Sequence, residues 1–305
     1  MTTRPFRFGV ILGQAPSRAA WVEKARRVED DGFDTLFVSD HFWPSWAPFA
    51  TLGTAAAVTK RVRLGTSVLD NDFRHPAVVA KEMATLDVLS EGRVEVGLGA
   101  GWTLADYEQT GIPFDEGTVR VDRLEESARV MRGLFGPEPF SFAGTYYKIA
   151  GLDGTPKPVQ SRVPILIGGS RKRILSAAAR VADIIGVHVG LDGRREKPPA
   201  GLLSSATEER IGWIRSAAGS RFPEIELLAQ IYVLAVDRPA AEVAAECEKL
   251  GLPPEHAGDS IHVLAGSVDG IVEQLHERRE RFGISYFSAN ERNAAALVAI
   301  MGRAR

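Results

Sequence analysis

Apolar residues recur along this chain in two alternating rhythms. Short runs dense in Val, Ile, Leu and Phe give way to longer stretches with apolar residues three and four positions apart. The short runs predict strands over Phe6–Leu12, Thr35–Ser39, Val62–Leu69, Arg93–Leu98, Val163–Gly168, Asp183–His188, Glu226–Val236 and Ile284–Ser288. Most are apolar throughout, as strands covered on both faces should be. The longer stretches predict helices over Ser17–Asp31, Pro76–Leu89, Val119–Phe135, Arg171–Val181, Thr207–Ala218, Pro239–Leu250, Val268–Phe282 and Glu291–Met301. Ser17 reads as an N-cap, with Trp21, Ala25 and Val28 on the buried face; Pro76 reads as a first-turn proline. Val121, Leu124, Ala128 and Met131 stand at helical spacing in the third helix.

Eight strands followed by helices predict an α/β fold of the (β/α)8 TIM-barrel type, one domain over residues 1–305. An open doubly wound sheet is the alternative. Its dinucleotide fingerprint is missing, because Trp102 stands where the third glycine of the run from Gly97 should be. The stretches 140–162 and 191–205, rich in Pro, Gly or Arg, predict insertions in loops at the C-terminal face.

Composition narrows the classes. A formal net charge of −2 argues against a general polyanion binder, and no nucleic-acid partner is expected. No apolar stretch approaches the roughly 20 residues of a membrane helix, and no signal peptide is evident, so a cytoplasmic location is expected. Cys247 is the single cysteine, which excludes an intramolecular disulfide and a Cys-rich metal site.

In a barrel, chemistry sits where strands end. After the second strand come Asp40, His41, Phe42 and Trp43, an acid and an imidazole beside aromatics that suit a planar ligand. The bland alternative is that Asp40 caps and His41 packs. Gly65-Thr66-Ser67 in the third strand reads as an ordinary polar strand face or a close approach to a ligand. His75 caps the helix that Pro76 opens, or joins the mouth. Gly97, Gly99 and Gly101 keep side chains away from something large, and Trp102 offers an aromatic wall. Gly168, Gly169, Ser170 and Arg171 run into a helix, so bare amides and a cation suit a phosphate; a plain glycine turn with Ser170 as N-cap is the alternative. His41, His75 and His188 raise the question of a metal hydrolase. No His-x-His on the first strand and no ligating Lys support it, and no metal is expected.

These stretches together resemble the luciferase-like flavin and deazaflavin oxidoreductases. The match runs through Ser39-Asp40-His41-Phe42, His75-Pro76, Ala84-Thr85-Leu86-Asp87, Leu89 to Arg93, Gly97 to Trp102, Asp106-Tyr107-Glu108, Pro164 to Gly169 and Ala177 to Asp183. It covers about residues 6–190 and the C-terminal strand and helix; residues 191–260 match nothing recognisable. The resemblance implies a barrel with a flavin-type cofactor at its mouth. Within the family, the Ser-Asp-His-Phe and Gly-Ala-Gly-Trp motifs are more similar to the coenzyme F420-dependent branch. That implies hydride transfer between the deazaflavin and a small organic substrate. An FMN-dependent monooxygenase and a non-catalytic flavin-binding protein are the alternatives.

By position, the resemblance implies that Asp40 bonds the ring's polar edge and His41 serves as proton donor or charge stabiliser. Ser67 and Val68 fall where relatives carry a non-prolyl cis peptide behind the ring. Gly99 lies beside the cofactor, Gly168, Gly169, Ser170 and Arg171 hold its phosphate, and Trp43 and Trp102 line the substrate space. Some members carry a catalytic Glu directly after the fourth strand; here Gly99 to Trp102 fill that place, a departure from the sugar-phosphate dehydrogenase pattern. A homodimer is the family expectation.

Overall fold

A computed structural model describes residues 4–190 and 198–305. The strands are β1 (Arg7–Leu12), β2 (Thr35–Val38), β3 (Arg63–Thr66), β4 (Leu69–Asp70), β5 (Val94–Gly99), β6 (Phe140–Ala143), β7 (Lys148–Leu152), β8 (Ile165–Gly169), β9 (Ile184–Val187), β10 (Glu226–Ile231), β11 (Val233–Val236), β12 (Val263–Gly266) and β13 (Ile284–Asn290). The helices are α1 (Arg18–Asp30), α2 (Pro48–Val58), α3 (Pro76–Leu89), α4 (Leu104–Thr110), α5 (Gly117–Leu134), α6 (Lys172–Val181), α7 (Pro199–Leu202), α8 (Ser204–Ala218), α9 (Ala240–Lys249), α10 (Val268–Phe282) and α11 (Ala294–Ala304).

Eight strands, β1, β2, β3, β5, β8, β9, β10 and β13, pair in parallel, and the β3–β5 and β1–β13 ladders close them into a ring. The expected (β/α)8 barrel is therefore the fold. Its strands are buried on both faces; all four residues of β2 are, for example. One face meets the surrounding helices and the other fills the barrel. Phe37, Leu166, Ile184, Leu228 and Tyr286 pack the interior, with Ile11 and Val68 towards the mouth. A side chain at Gly9 or Gly65 would lie within 2.6 Å of the Phe37 ring, so these mid-strand glycines make room for one large interior residue.

A polar plug closes the N-terminal end. Arg7 pairs with Glu95 and with Glu226, the latter at 2.7 Å, and Arg63 meets Glu95 at 2.6 Å. Tyr286 donates to Thr35 at 2.6 Å, and the Arg7 guanidinium lies 4.1 Å from its ring centre. A buried carboxylate needs such partners to stay ionised.

Several expectations are corrected. The third strand breaks into β3 and β4 around a cis Ser67–Val68 peptide. The expected strand over 226–236 divides at Tyr232, whose N–H donates to the His262 carbonyl at 2.8 Å. Beyond it, β11 leaves the barrel and pairs with β12 in a separate two-stranded sheet. The apolar run is continuous there, and only a partner 30 positions away decides where the strand turns. The helix at α9 belongs to this excursion, and α10 completes the barrel unit. Helix α2 was not foreseen, because its sequence carries no charge and no side-chain cap. The stretch 140–162 holds the antiparallel β6–β7 hairpin. Of the expected insertion 191–205, residues 191–197 lie outside the described residues, and the remainder begins α7 and α8. Ser17 and His75 do cap their helices, accepting from the N–H groups of Ala20 and Ala77 at 3.2 Å.

Candidate active site

At the C-terminal end the barrel opens: Ile11, Ser67, Val68, Gly168, Gly169, His188, Gln230 and Asn290 are all partly exposed. The loop after β2 carries Asp40 and His41 to this rim. Asp40 is buried and accepts a two-pronged ion pair from Arg74, at 2.5 and 3.0 Å. It also accepts from the Asp70 N–H at 3.2 Å. Asp40 thus braces the β2 end against the segment after β4.

His41 is held differently. Its Nδ1 lies 2.8 Å from Oδ2 of Asp106, whose other oxygen accepts from the Phe42 N–H at 3.2 Å. A carboxylate on Nδ1 keeps the proton there and leaves Nε2 to accept or deliver one. The His41 ring stacks on Trp43, centroids 3.6 Å apart, and meets the edge of Trp102 at 5.7 Å.

Asp106 sits on α4 beside Tyr107, which is buried. The Tyr107 hydroxyl lies 2.8 Å from both oxygens of Asp70 and 3.1 Å from Asp72. Burial, with the neighbouring carboxylates Asp72 and Asp40 adding to it, pushes Asp70 up to about 6 against its hydrogen bonds. Burial and the carboxylates of Asp70 and Asp72 push the Tyr107 phenol up, so it stays a donor. Arg123 meets Asp72 and Asp115 at 2.9 and 2.8 Å. Arg120 donates to the carbonyls of Ala100 and Gly101 at 2.7 and 2.5 Å, pinning the loop that carries Trp102.

The glycines of that loop yield to the protein's own atoms. A Cβ on Gly97 would lie 1.9 Å from the Thr66 carbonyl oxygen, one on Gly99 2.6 Å from a Val68 methyl, and one on Gly101 1.8 Å from the Tyr107 hydroxyl. Gly101 also has φ +72°, which glycine adopts freely. Thr66 exchanges two hydrogen bonds with Gly97, at 2.8 and 2.9 Å, so the polar face of β3 serves the sheet.

Across the mouth, Gly168 pairs with Gly186 in the ladder, and the His188 ring occupies the space where either would carry a side chain. Gly169 yields to Ile174, and Gly190 to the Ser170 hydroxyl. Arg171 is the N-cap of α6, in extended conformation. The Ser170 carbonyl accepts from Arg210 of α8 at 3.3 Å, and burial lowers the Arg210 pKa. Among the described residues, no group of three His, Cys, Asp or Glu is arranged to hold a metal.

Sequence reasoning assigned no role to Asp106, Tyr107, Asp70, Arg74 or Arg210. Asp106 and Tyr107 lie within a stretch that resembles the family. An acid and a tyrosine opening a short helix after a glycine loop were the available signal. Arg210, a cation inside an apolar helical face, was another.

Residues 2–241 match the luciferase-like monooxygenase family. The chain belongs to this family. Among its relatives is the F420-dependent glucose-6-phosphate dehydrogenase of Amycolatopsis mediterranei, 37% identical over 171 residues, 53% of this chain and 51% of that protein. A protein of the same name from Microbacterium testaceum is 39% identical over 164 residues, 51% of this chain and 48% of that one. The chain thus spans about half the length of the curated relatives it matches. Similar solved structures include the coenzyme F420-dependent tetrahydromethanopterin reductase of Methanopyrus kandleri, at TM-score 0.76 and 20% identity over 98% of both chains. An F420-dependent secondary alcohol dehydrogenase in complex with an F420-acetone adduct is similar at TM-score 0.79 and 22% identity, over 99% of this chain and 100% of that one. At such identities the likeness is one of fold. Within this luciferase-like barrel, β12, α10, β13 and α11 lie beyond the residues matched to the family, and β13 closes the ring between β1 and β10.

Proposed function

We propose that this chain is a coenzyme F420-dependent oxidoreductase passing a hydride between the deazaflavin ring and a small organic substrate held over His41. The observation that carries the reading is the His41–Asp106 pair, set at the barrel mouth opposite the glycine turn that opens α6. The names of the relatives, F420-dependent dehydrogenases, support the choice of cofactor.

The residues present suit a flat ring with a phosphate-bearing tail. The Val68 side chain fills the space beside Gly97 and Gly99 and comes within 4.0 Å of where a Gly168 side chain would begin, giving an apolar surface at the mouth with the His188 ring beside it. The first amides of α6 have no helical acceptor and follow Gly168, Gly169, Ser170 and the cation Arg171, which suits an anion.

When bound, the deazaflavin supplies a ring carbon that gives or takes a hydride. Gly168, Gly169, Ser170 and Arg171 would hold its phosphate. Ser67 and Val68 would back its ring, Gly99 would let it approach, and Asp40, with lone pairs left after Arg74, would accept from its polar edge. His41 delivers or receives the accompanying proton at Nε2, with Asp106 holding the Nδ1 proton in place. Trp43 and Trp102 position the substrate and keep water from it.

Titration of the purified protein with coenzyme F420 and with FMN, followed by fluorescence, tests the reading. Tight F420 binding is expected. FMN binding without F420 binding would move the chain to the monooxygenases. Binding of F420 without turnover of any alcohol, ketone or enone would leave a cofactor-binding protein.

No helix among the described residues is long and apolar enough to cross a membrane. We place the enzyme in the cytoplasm, as a homodimer. The outward residues Val78, Val88 and Leu89 of α3, with exposed Leu152 and Val159, support such a contact. Sedimentation of the wild type and of Leu89→Lys checks it, the variant being expected as a monomer.

A further inference from the structure

We infer that the corner built by Trp43 and Trp102 over His41 takes an uncharged, flat, apolar ring as substrate rather than a phosphorylated sugar. This rests on reading the barrel mouth as the active site.

Three rings meet in this corner. Trp43 covers one face of His41 at an interplanar angle of 24°, and the two indoles stand 63° apart with centroids at 5.8 Å. They form two walls of a wedge rather than a stack. Trp43 is 43% exposed and Trp102 58%, whereas Trp21, which packs in the core, is buried and donates its Nε1–H to the Thr51 carbonyl. Two large indoles left open beside a proton-handling imidazole present exposed π faces and edges on which a further ring can pack. Aromatic partners prefer such tilted and edge-on arrangements at centroid distances of roughly 4.5–7 Å.

The charges behind the wedge point the same way. Arg74 is engaged by Asp40, and Arg123 by Asp72 and Asp115. Arg120 is engaged by the carbonyls of Ala100 and Gly101. Asp70 and Asp106 add further carboxylates, hydrogen-bonded to Tyr107 and His41. Among the described residues of this shell, carboxylates outnumber guanidiniums, and each guanidinium already has acceptors. A phosphate brought into the wedge meets like charge; a neutral ring does not. The relatives named glucose-6-phosphate dehydrogenases match only about half of this chain, so their substrate does not settle the point.

The test is calorimetric titration of the full chain with 2-naphthol and, separately, with glucose 6-phosphate, using wild type, Trp43→Leu, Trp102→Leu and Trp102→Phe. Both tryptophans are exposed, so the variants should melt like the wild type. Binding of 2-naphthol to the wild type is expected, weakened about tenfold in each Leu variant and restored to within about threefold in Trp102→Phe. Glucose 6-phosphate should bind at least about tenfold more weakly than 2-naphthol. Tighter binding of glucose 6-phosphate, or 2-naphthol binding that neither Leu variant alters, overturns the inference. A parallel F420 titration separates the two readings. Lost F420 binding with retained naphthol binding removes the cofactor assignment and keeps the wedge; the reverse removes the wedge alone.

Discussion

The imidazole of His41 and the carboxylate of Asp106, 65 positions apart in the chain, meet at 2.8 Å on the rim of the barrel. The acid holds the ring in one tautomer and one orientation. Asp106→Asn keeps an oxygen to accept from the Phe42 N–H but turns its NH2 donor towards Nδ1, which must then accept, so the ring proton moves to Nε2 and the tautomer is reversed. In the F420-linked assay, kcat should fall about 100-fold, with cofactor affinity little changed. A variant that lost cofactor affinity but kept kcat would assign Asp106 to the binding site instead.

Asp40 carries a double burden. The resemblance assigns it to the cofactor, while the structure ties it to Arg74 and to the Asp70 N–H. Asp40→Ala leaves those donors unpaired, so a stability loss of about 1–3 kcal/mol is expected in denaturant unfolding. Arg74→Ala should also destabilise, since Asp40 is then left buried with one backbone partner. If Asp40→Ala weakens F420 binding with no change in stability, the Arg74 pair is decorative.

Asp70 gives a pH signature. Burial raises its pKa from 3.8 to about 6, so the folded chain binds this proton more tightly than the unfolded chain. Its contribution to stability is fullest below the unfolded pKa and is lost as pH rises through about 6. Asp70→Asn removes that dependence. Between pH 4 and 6.5 the variant should gain stability relative to wild type as pH rises, by on the order of 2 kcal/mol. Urea unfolding across this range measures it; parallel curves would show that Asp70 titrates normally.

Two glycines make opposite forecasts. A Cβ on Gly97 would sit 1.9 Å from the Thr66 carbonyl oxygen, and backbone cannot swing aside. Gly97→Ala should cost more than about 3 kcal/mol or prevent folding. Gly53 lies within α2 with nothing inside 4 Å of its would-be Cβ. Gly53→Ala should stabilise by about 0.4–1 kcal/mol, seen as a higher Tm.

Much of the barrel was legible because its signal is local. β2 and β8 read as strands from their own residues, and α1, α3 and α5 from their apolar spacing and caps. The rim residues Asp40, His41, Trp43 and Trp102 were legible as well, since strand ends mark the mouth of a barrel. The partner of His41 was not. Nothing in the stretch around Asp106 says which of the nearby acids reaches an imidazole on another loop. The glycine run at the end of β5 misled in part, since the bulk it avoids is Thr66, Val68 and Tyr107.

By itself, then, the chain's order of apolar and polar residues determined the alternation of strand and helix and the two-sided burial that makes a parallel barrel. Those are properties of neighbours a few residues apart. Tertiary structure alone decided that the strand after Glu226 turns out of the barrel at Tyr232, that α2 forms without caps or charges, and that Phe37 needs Gly9 and Gly65 beside it. It also decided that α4 delivers Asp106 to His41. Each of these depends on which segments, distant in the chain, come to lie beside one another, which local periodicity does not encode.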